Sequence, residues 1–258
     1  MPRRPRVDMA GFYHVVNRGV DRRVIYKDDE DHKTFLQILC DASTLYEVKV
    51  HAYVMMGNHY HLLIETSKEN LSQYMKHVNA SYAIYFNKKY KRTGHLWQGR
   101  FRSWFVTQES YLYALIAYIE YNPIKAKMVK KLGEYKYSSY IAFSEKEQAI
   151  ACLQSSLLFE KYPNVSERIE VIEYAHDERI LEEIKKASNL VITSVKENKP
   201  NIKALEQALK KVKSLDERNK LIIKANKAGL SQHLLSKIVG ISQSQIGRVV
   251  MKERGRVT

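Results

Sequence analysis

The sequence predicts an α+β protein: a small antiparallel sheet with two helices on one face, then a helical C-terminal region. Three observations carry this. Short strand-type runs bounded by turn residues interleave with helical-period runs in the order β-α-β-β-α-β-α up to about residue 122. From residue 145 onward the pattern is mostly helical. The 258 residues, 45% hydrophobic and 28% charged, have ordinary globular composition and enough length for one or two cored domains.

Phe12–Asn17 reads as the first strand, ended by Arg18-Gly19. The acidic stretch Asp28–Asp31 opens a helix that runs to about Tyr46, with Phe35, Leu36, Leu39 and Cys40 on its apolar side. Acidic residues suit a helix N-terminus because unpaired N–H groups there carry partial positive charge. Val48–Met56 and His59–Thr66 form a hairpin around Gly57-Asn58, residues that tolerate positive φ. Leu71–Tyr90 places Leu71, Tyr74, Met75, Val78, Tyr82 and Tyr85 near helical spacing. Phe101–Val106 is the fourth strand, and Thr107 is expected to cap a helix over Gln108–Asn122. The first six elements match a ferredoxin-like split βαβ unit.

Domain limits follow as 1–144 for the sheet domain, 145–200 for a helical connector whose sequence carries no readable chemistry, and 201–258 for the tail, with Pro200-Asn201 at the boundary. In the tail, Leu215–Lys227 is a helix stopped by Gly229. Ser231 caps Gln232–Val239, Gly240 turns the chain, and Ser242 caps Gln243–Lys252. A short helix, a glycine turn and a second basic helix is helix-turn-helix grammar. Gln243, Ser244, Gln245 and Arg248 fall at the groove-facing start of the second helix, where Gln and Arg suit bidentate base contacts. A plain helical bundle is the alternative.

Net charge is +15 and points to a polyanionic partner, because neutralising phosphates releases counterions. The charge is uneven. Residues 1–143 hold 22 Lys and Arg against 13 Asp and Glu, residues 144–199 hold 8 against 11, and residues 200–258 hold 13 against 4. Two basic blocks flanking an acidic connector suggest two surfaces for one nucleic acid. Cys40 and Cys152 make neither a disulfide framework nor a four-thiolate zinc site, and free thiols in a reducing compartment are expected. The charged N-terminus lacks a signal-peptide apolar run, and no stretch approaches the ~20 apolar residues that span a bilayer. These features argue for the cytoplasm.

The chemistry-bearing residues are few. His59 and His61 lie two apart in a strand, so they project to one face, with Tyr60 on the other. Two neutral imidazoles held so can bind one divalent ion. Two histidines at this spacing are also a common incidental pattern. Tyr111, Leu115, Tyr118 and Asn122 are spaced by four, three and four and share one helix face. A cation could take His59, His61 and the Asn122 oxygen, with the Tyr118 phenol beside a bound phosphate. The plain alternative makes Tyr118 one core aromatic among 18 tyrosines and Asn122 a helix stop before Pro123. Tyr121, roughly 60° round the same helix, is the rival phenol.

These motifs, in this order, resemble the HUH single-strand endonucleases. More narrowly, the chain is similar to insertion-sequence-200-like single-tyrosine transposases, especially the REP-associated tyrosine transposases. The resemblance runs through Phe12-Tyr13-His14-Val15-Val16-Asn17-Arg18-Gly19, Met55-Met56-Gly57-Asn58-His59-Tyr60-His61-Leu62-Leu63 and Trp97-Gln98-Gly99-Arg100-Phe101. It continues in Tyr118-Ile119-Glu120-Tyr121-Asn122-Pro123 and Tyr137-Ser138-Ser139-Tyr140, covering roughly residues 10–142. It implies that Tyr118 is the nucleophile, that His59, His61 and Asn122 hold Mg²⁺ or Mn²⁺, and that single-stranded hairpin DNA is cleaved and rejoined through a 5′-phosphotyrosine during DNA transposition. Lys127 departs from the small residue or glycine the family often carries after Asn-Pro-x-x-Ala. Arg18, Arg100 and Arg102 are expected on phosphates. Trp97 either stacks a base or packs on the sheet, and Arg3, Arg4 and Arg6 form a basic arm. The tail is expected to bind flanking duplex. A monomer is favoured, with a homodimer the alternative. The rival function is a catalytically inactive, sequence-specific transcription regulator derived from such a transposase.

Overall fold

A computed structural model of the chain describes residues 7–145, 149–177, 179–187, 202–210, 212, 214–227, 230 and 232–254. Arg3, Arg4, Arg6, Gly229 and Ser231 lie outside them. The chain divides into two compact units, Met1–Val191 and Ile192–Thr258.

The first unit is built on a four-stranded sheet of β1 (Gly11–Arg18), β2 (Val48–Met56), β3 (His59–Thr66) and β4 (Arg102–Phe105). Its spatial order is β2-β3-β1-β4, with every neighbouring pair antiparallel. The helices α1 (Asp29–Tyr46) and α2 (Leu71–Lys89) pack against one another. They meet the sheet face that carries Tyr60. The Tyr60 ring lies 5.1 Å from Phe35 of α1 and its hydroxyl donates to Asn79 of α2 at 2.9 Å. Tyr13, Val15, Leu62, Phe35, Tyr82 and Phe86 are fully buried. Full burial of each such Val, Leu or Phe side chain contributes about 1.5–3 kcal/mol of hydrophobic stabilisation.

Local chemistry fixes these elements. Asp28 caps α1 by accepting from the Asp31 amide at 2.9 Å, and Glu47 ends the helix in the left-handed region at φ +55°. Lys89 at the end of α2 reaches back to Asp28 at 2.8 Å and Asp31 at 3.0 Å, locking opposite helix ends together. Met56 pairs with His59, so Gly57-Asn58 is a two-residue hairpin turn.

The other sheet face carries α3 (Tyr111–Lys125), which packs on β2 and β3. This helix starts three residues later than expected, at Tyr111. The preceding residues form turns, with Tyr111 N donating to Gln108 O and Leu112 N to Glu109 O. Nor does the helix stop at Asn122. It continues through Pro123 to Lys125. Proline has no N–H for the Ile119 carbonyl. The Asn122 side-chain amide supplies a donor instead, to Tyr118 O at 2.8 Å and Ile119 O at 3.4 Å.

Residues 137–139 run along the edge of β2, with Met55 N donating to Tyr137 O and Ser139 N to Tyr53 O. The helices α4 (Tyr140–Ser144), α5 (Leu157–Lys161), α6 (Val165–Tyr174) and α7 (residues 179–187) complete the unit. Buried Arg168 of α6 donates to the carbonyls of Phe143, Tyr162 and Pro163. The expectation of free thiols is corrected: Cys40 and Cys152 form a disulfide. The turn Ala151–Leu153 packs on α1 and β2, which brings together cysteines 112 residues apart in sequence.

The second unit contains α8 (Ile202–Lys210), α9 (Leu215–Lys227), α10 (Gln232–Val239) and α11 (Gln243–Arg254). Leu205, Ile222, Ala225, Leu230, Leu235, Ile246 and Val250 form its core. Gly240 links α10 to α11 at φ +74°, where a Cβ is disfavoured. No helix among the described residues is long and apolar enough to cross a membrane.

Candidate functional site

Register puts the site residues on one sheet face. Val16 pairs with His61 and with Arg102, Arg18 pairs with His59, and His14 pairs with Trp104. Directly opposed residues in a ladder share a face. His14, His59, His61, Arg18, Arg102 and Trp104 therefore project together, towards α3.

Tyr118 meets them. Its ring stands edge-on at 5.9 Å from both His61 and His14. The Lys125 ammonium lies 4.5 Å from the centre of the Tyr118 ring. Tyr121 points elsewhere and stacks on His176 at 4.0 Å, so the structure separates the two phenols that sequence spacing left as rivals. A cavity of about 680 Å³ opens beside Tyr118, and its lining includes His14, His61, Arg18, Arg100 and Arg102.

Electrostatics keep the imidazoles neutral. Burial, reinforced by the Arg18 charge, lowers His59 to about 4. Burial, then the neighbouring His14, His59 and Arg18, hold His61 well below the usual histidine range. Burial and the Lys185 ammonium lower His14 to about 3. Neutral imidazole is the form that ligates a cation. His59 Nδ1 bonds Asn58 Oδ1 at 2.6 Å and His61 Nδ1 bonds His14 Nε2 at 3.0 Å, so neither bond engages the Nε2 atom of His59 or His61. Asn122 donates through its nitrogen within its own helix, and its Oδ1 has no hydrogen-bond donor among the described residues. Mixed imidazole and amide-oxygen ligation leans towards Mn²⁺ on softness, whereas Mg²⁺ prefers oxygen donors throughout. His59 and Asn122 are not part of the cavity lining. No group of three or more His, Cys, Asp or Glu among the described residues forms a cation site.

Sequence reasoning missed four residues in and around the site. His14 lies in the first strand, 47 residues from His61, and only strand pairing makes them neighbours. Leu181 and Lys185 of α7 also line the cavity, although their segment read as a connector without chemistry. Glu183 of the same helix accepts a hydrogen bond from Tyr111, which raises that phenol above its ordinary range. Trp97 packs rather than projects: its indole nitrogen donates to Asn79 O at 2.8 Å and its ring contacts Tyr60.

In the second unit, Ser244 and Arg248 are exposed at the start of α11, and the Gln243 side chain lies outside the described residues. Gln245 closes a capping box: its Oε1 accepts from Ser242 N at 3.0 Å while its own amide N donates to Ser242 Oγ at 3.3 Å.

Residues 9–122 match the family model described as "Transposase IS200 like". The resemblance to insertion-sequence-200-like transposases read from the motifs is borne out over that segment. No curated protein matches the chain. Among solved structures the chain is similar to one described as "Structure of the REP associates tyrosine transposase bound to a REP hairpin". That similarity is at 15% identity, covers 58% of this chain and 88% of that one, and has a TM-score of 0.47.

Proposed function

We propose that the first unit is a transposase that cleaves and rejoins single-stranded hairpin DNA by tyrosine transesterification. The observation that carries this reading is the Tyr118 ring set against His61 and His14, beside a cavity lined by Arg18, Arg100 and Arg102. The strand order and the two helices on the Tyr60 face are read as a ferredoxin-like split βαβ unit.

In this mechanism Arg18, Arg100 and Arg102 hold the DNA phosphates, since guanidinium groups pair with phosphate in forked geometry. Tyr118 Oη attacks the scissile phosphorus. The Tyr118 O–P bond forms and the P–O3′ bond breaks. The phenol gives up its proton and the departing 3′ oxygen takes one up. The product is a 5′-phosphotyrosine that retains the bond energy, so a later 3′-hydroxyl can attack it without ATP. His59, His61 and Asn122 would hold Mg²⁺ or Mn²⁺. Such an ion, when bound, polarises the phosphate and stabilises its developing charge. α10 and α11 are read as a helix-turn-helix that binds duplex flanking the hairpin, with Ser244 and Arg248 facing the groove and Gln245 holding the helix start.

The test is incubation of full-length protein with end-labelled hairpin oligonucleotides and Mn²⁺, followed by denaturing electrophoresis. A covalent protein–DNA band is expected from the wild type and from Tyr121→Phe, but not from Tyr118→Phe. An adduct that survives in Tyr118→Phe, or none from the wild type on any hairpin, overturns the reading.

A further inference from the structure

A metal-binding histidine must present a bare nitrogen, so the position of its single ring proton decides whether it can bind. For His59 that position follows from its neighbours. Asn58 Nδ2 donates to Arg22 O at 3.0 Å, which fixes the amide so that Oδ1 faces His59. Oδ1 only accepts, so the His59 proton sits on Nδ1 and Nε2 keeps its lone pair.

For His61 the choice is left to His14. The two rings stack with centroids 5.2 Å apart, and a single hydrogen bond of 3.0 Å joins His61 Nδ1 to His14 Nε2. One of the two nitrogens donates. If His14 donates, His61 carries its own proton on Nε2 and cannot ligate through it. If His14 accepts, His61 matches His59 and two Nε2 lone pairs are available. His14 is only 5% exposed and is flanked by Trp104 at 5.3 Å and Tyr118 at 5.9 Å, so its ring has no room to swing away. Its Nε2 is committed to His61, which makes it a poor third ligand.

We propose that His14 is a positioning residue that accepts the Nδ1 proton of His61 and so fixes His61 in the tautomer that binds the divalent cation. The proposal rests on the reading of His59 and His61 as cation ligands. Partners of this kind fix the ring orientation and tautomer of ligating histidines, and their loss weakens binding by about 10–100-fold.

Two measurements on the full chain test it. The first is long-range ¹H–¹⁵N correlation of the histidine rings in unmutated, metal-free protein, which needs no variant to fold. His61 is expected to be protonated on Nδ1, and protonation on Nε2 overturns the proposal. The second is Mn²⁺ titration followed by the electron paramagnetic resonance of the free ion. His14→Phe keeps an aromatic ring at the position and loses the acceptor, and is expected to weaken binding by about 10–100-fold. His14→Gln restores an acceptor and should recover most of it. Equal affinity in wild type and His14→Phe overturns the proposal, as does a Gln variant no better than Phe. A wild type that binds no Mn²⁺, or whose affinity is unchanged in His61→Ala, overturns the underlying cation reading instead, whatever the tautomer.

Discussion

Glu120 ties the Tyr118 helix to the edge of the sheet, and its ionisation should be visible in the protein's stability. Its side chain is only 2% exposed. It accepts from Ser139 Oγ and from Tyr140 N, and Ser139 Oγ in turn accepts from Tyr53 N of β2. Burial outweighs these hydrogen bonds and raises the carboxyl from 4.5 to about 7. The folded protein therefore holds the proton more tightly than the unfolded chain. Between those two values the native state binds more protons, so stability falls as pH rises through the window. At about 1.4 kcal/mol per pH unit the full loss is about 3 kcal/mol, complete above the folded value. Glu120→Gln mimics the protonated acid and cannot ionise. In urea unfolding followed by circular dichroism, the wild type should lose about 2.5 kcal/mol more than Glu120→Gln between pH 5 and pH 8.5. Parallel pH profiles, or a wild type that gains on the variant as pH rises, would refute the assignment.

Other expectations concern the cross-link, a helix end and the DNA contacts. Reducing the Cys40–Cys152 bond releases a closure of 112 residues, and chain entropy sets the loss at about 4–5 kcal/mol at most. Thermal unfolding should shift down with reductant in the wild type and not in Cys152→Ser. Lys127 adopts φ +57° just past the end of α3, the place where the family often has a small residue or glycine. Lys127→Gly should raise stability by about 1 kcal/mol in denaturant titrations. Lys185→Ala should weaken single-strand binding irrespective of sequence and reduce the salt slope of log K by about one in fluorescence anisotropy. Removing residues 192–258 should impair discrimination between hairpins with and without their flanking duplex more than it impairs adduct formation.

The sheet and its two flanking helices could be read from one dimension because their signals are local. Val48–Met56, rich in Val, Tyr and Met, and His59–Thr66 flank a two-residue turn, and their observed limits are those expected. Asp28 announces the start of α1 by cap chemistry. The pairing of His59 with His61 on one face needs only the two-residue period of a strand. α3 starts later than its pattern predicts because Gln108–Ser110 offers good helix and cap residues that the chain uses as turns. It runs past Asn122 because the Asn122 amide makes good the donor that Pro123 lacks, a compensation invisible to propensity.

Sequence alone thus determined the residue types of the site: two imidazoles on a strand, a phenol on a helix, and guanidinium groups near both. Tertiary structure decided which of them meet. It set Tyr118 rather than Tyr121 against the histidines, brought His14 across the sheet to His61, delivered Lys185 from a segment with no readable chemistry, and joined Cys40 to Cys152. The physical reason is that period and capping depend on neighbours a few residues apart. Ladder register, helix rotation on a sheet and loop closure depend on packing between residues tens to a hundred positions apart, and no local pattern encodes them.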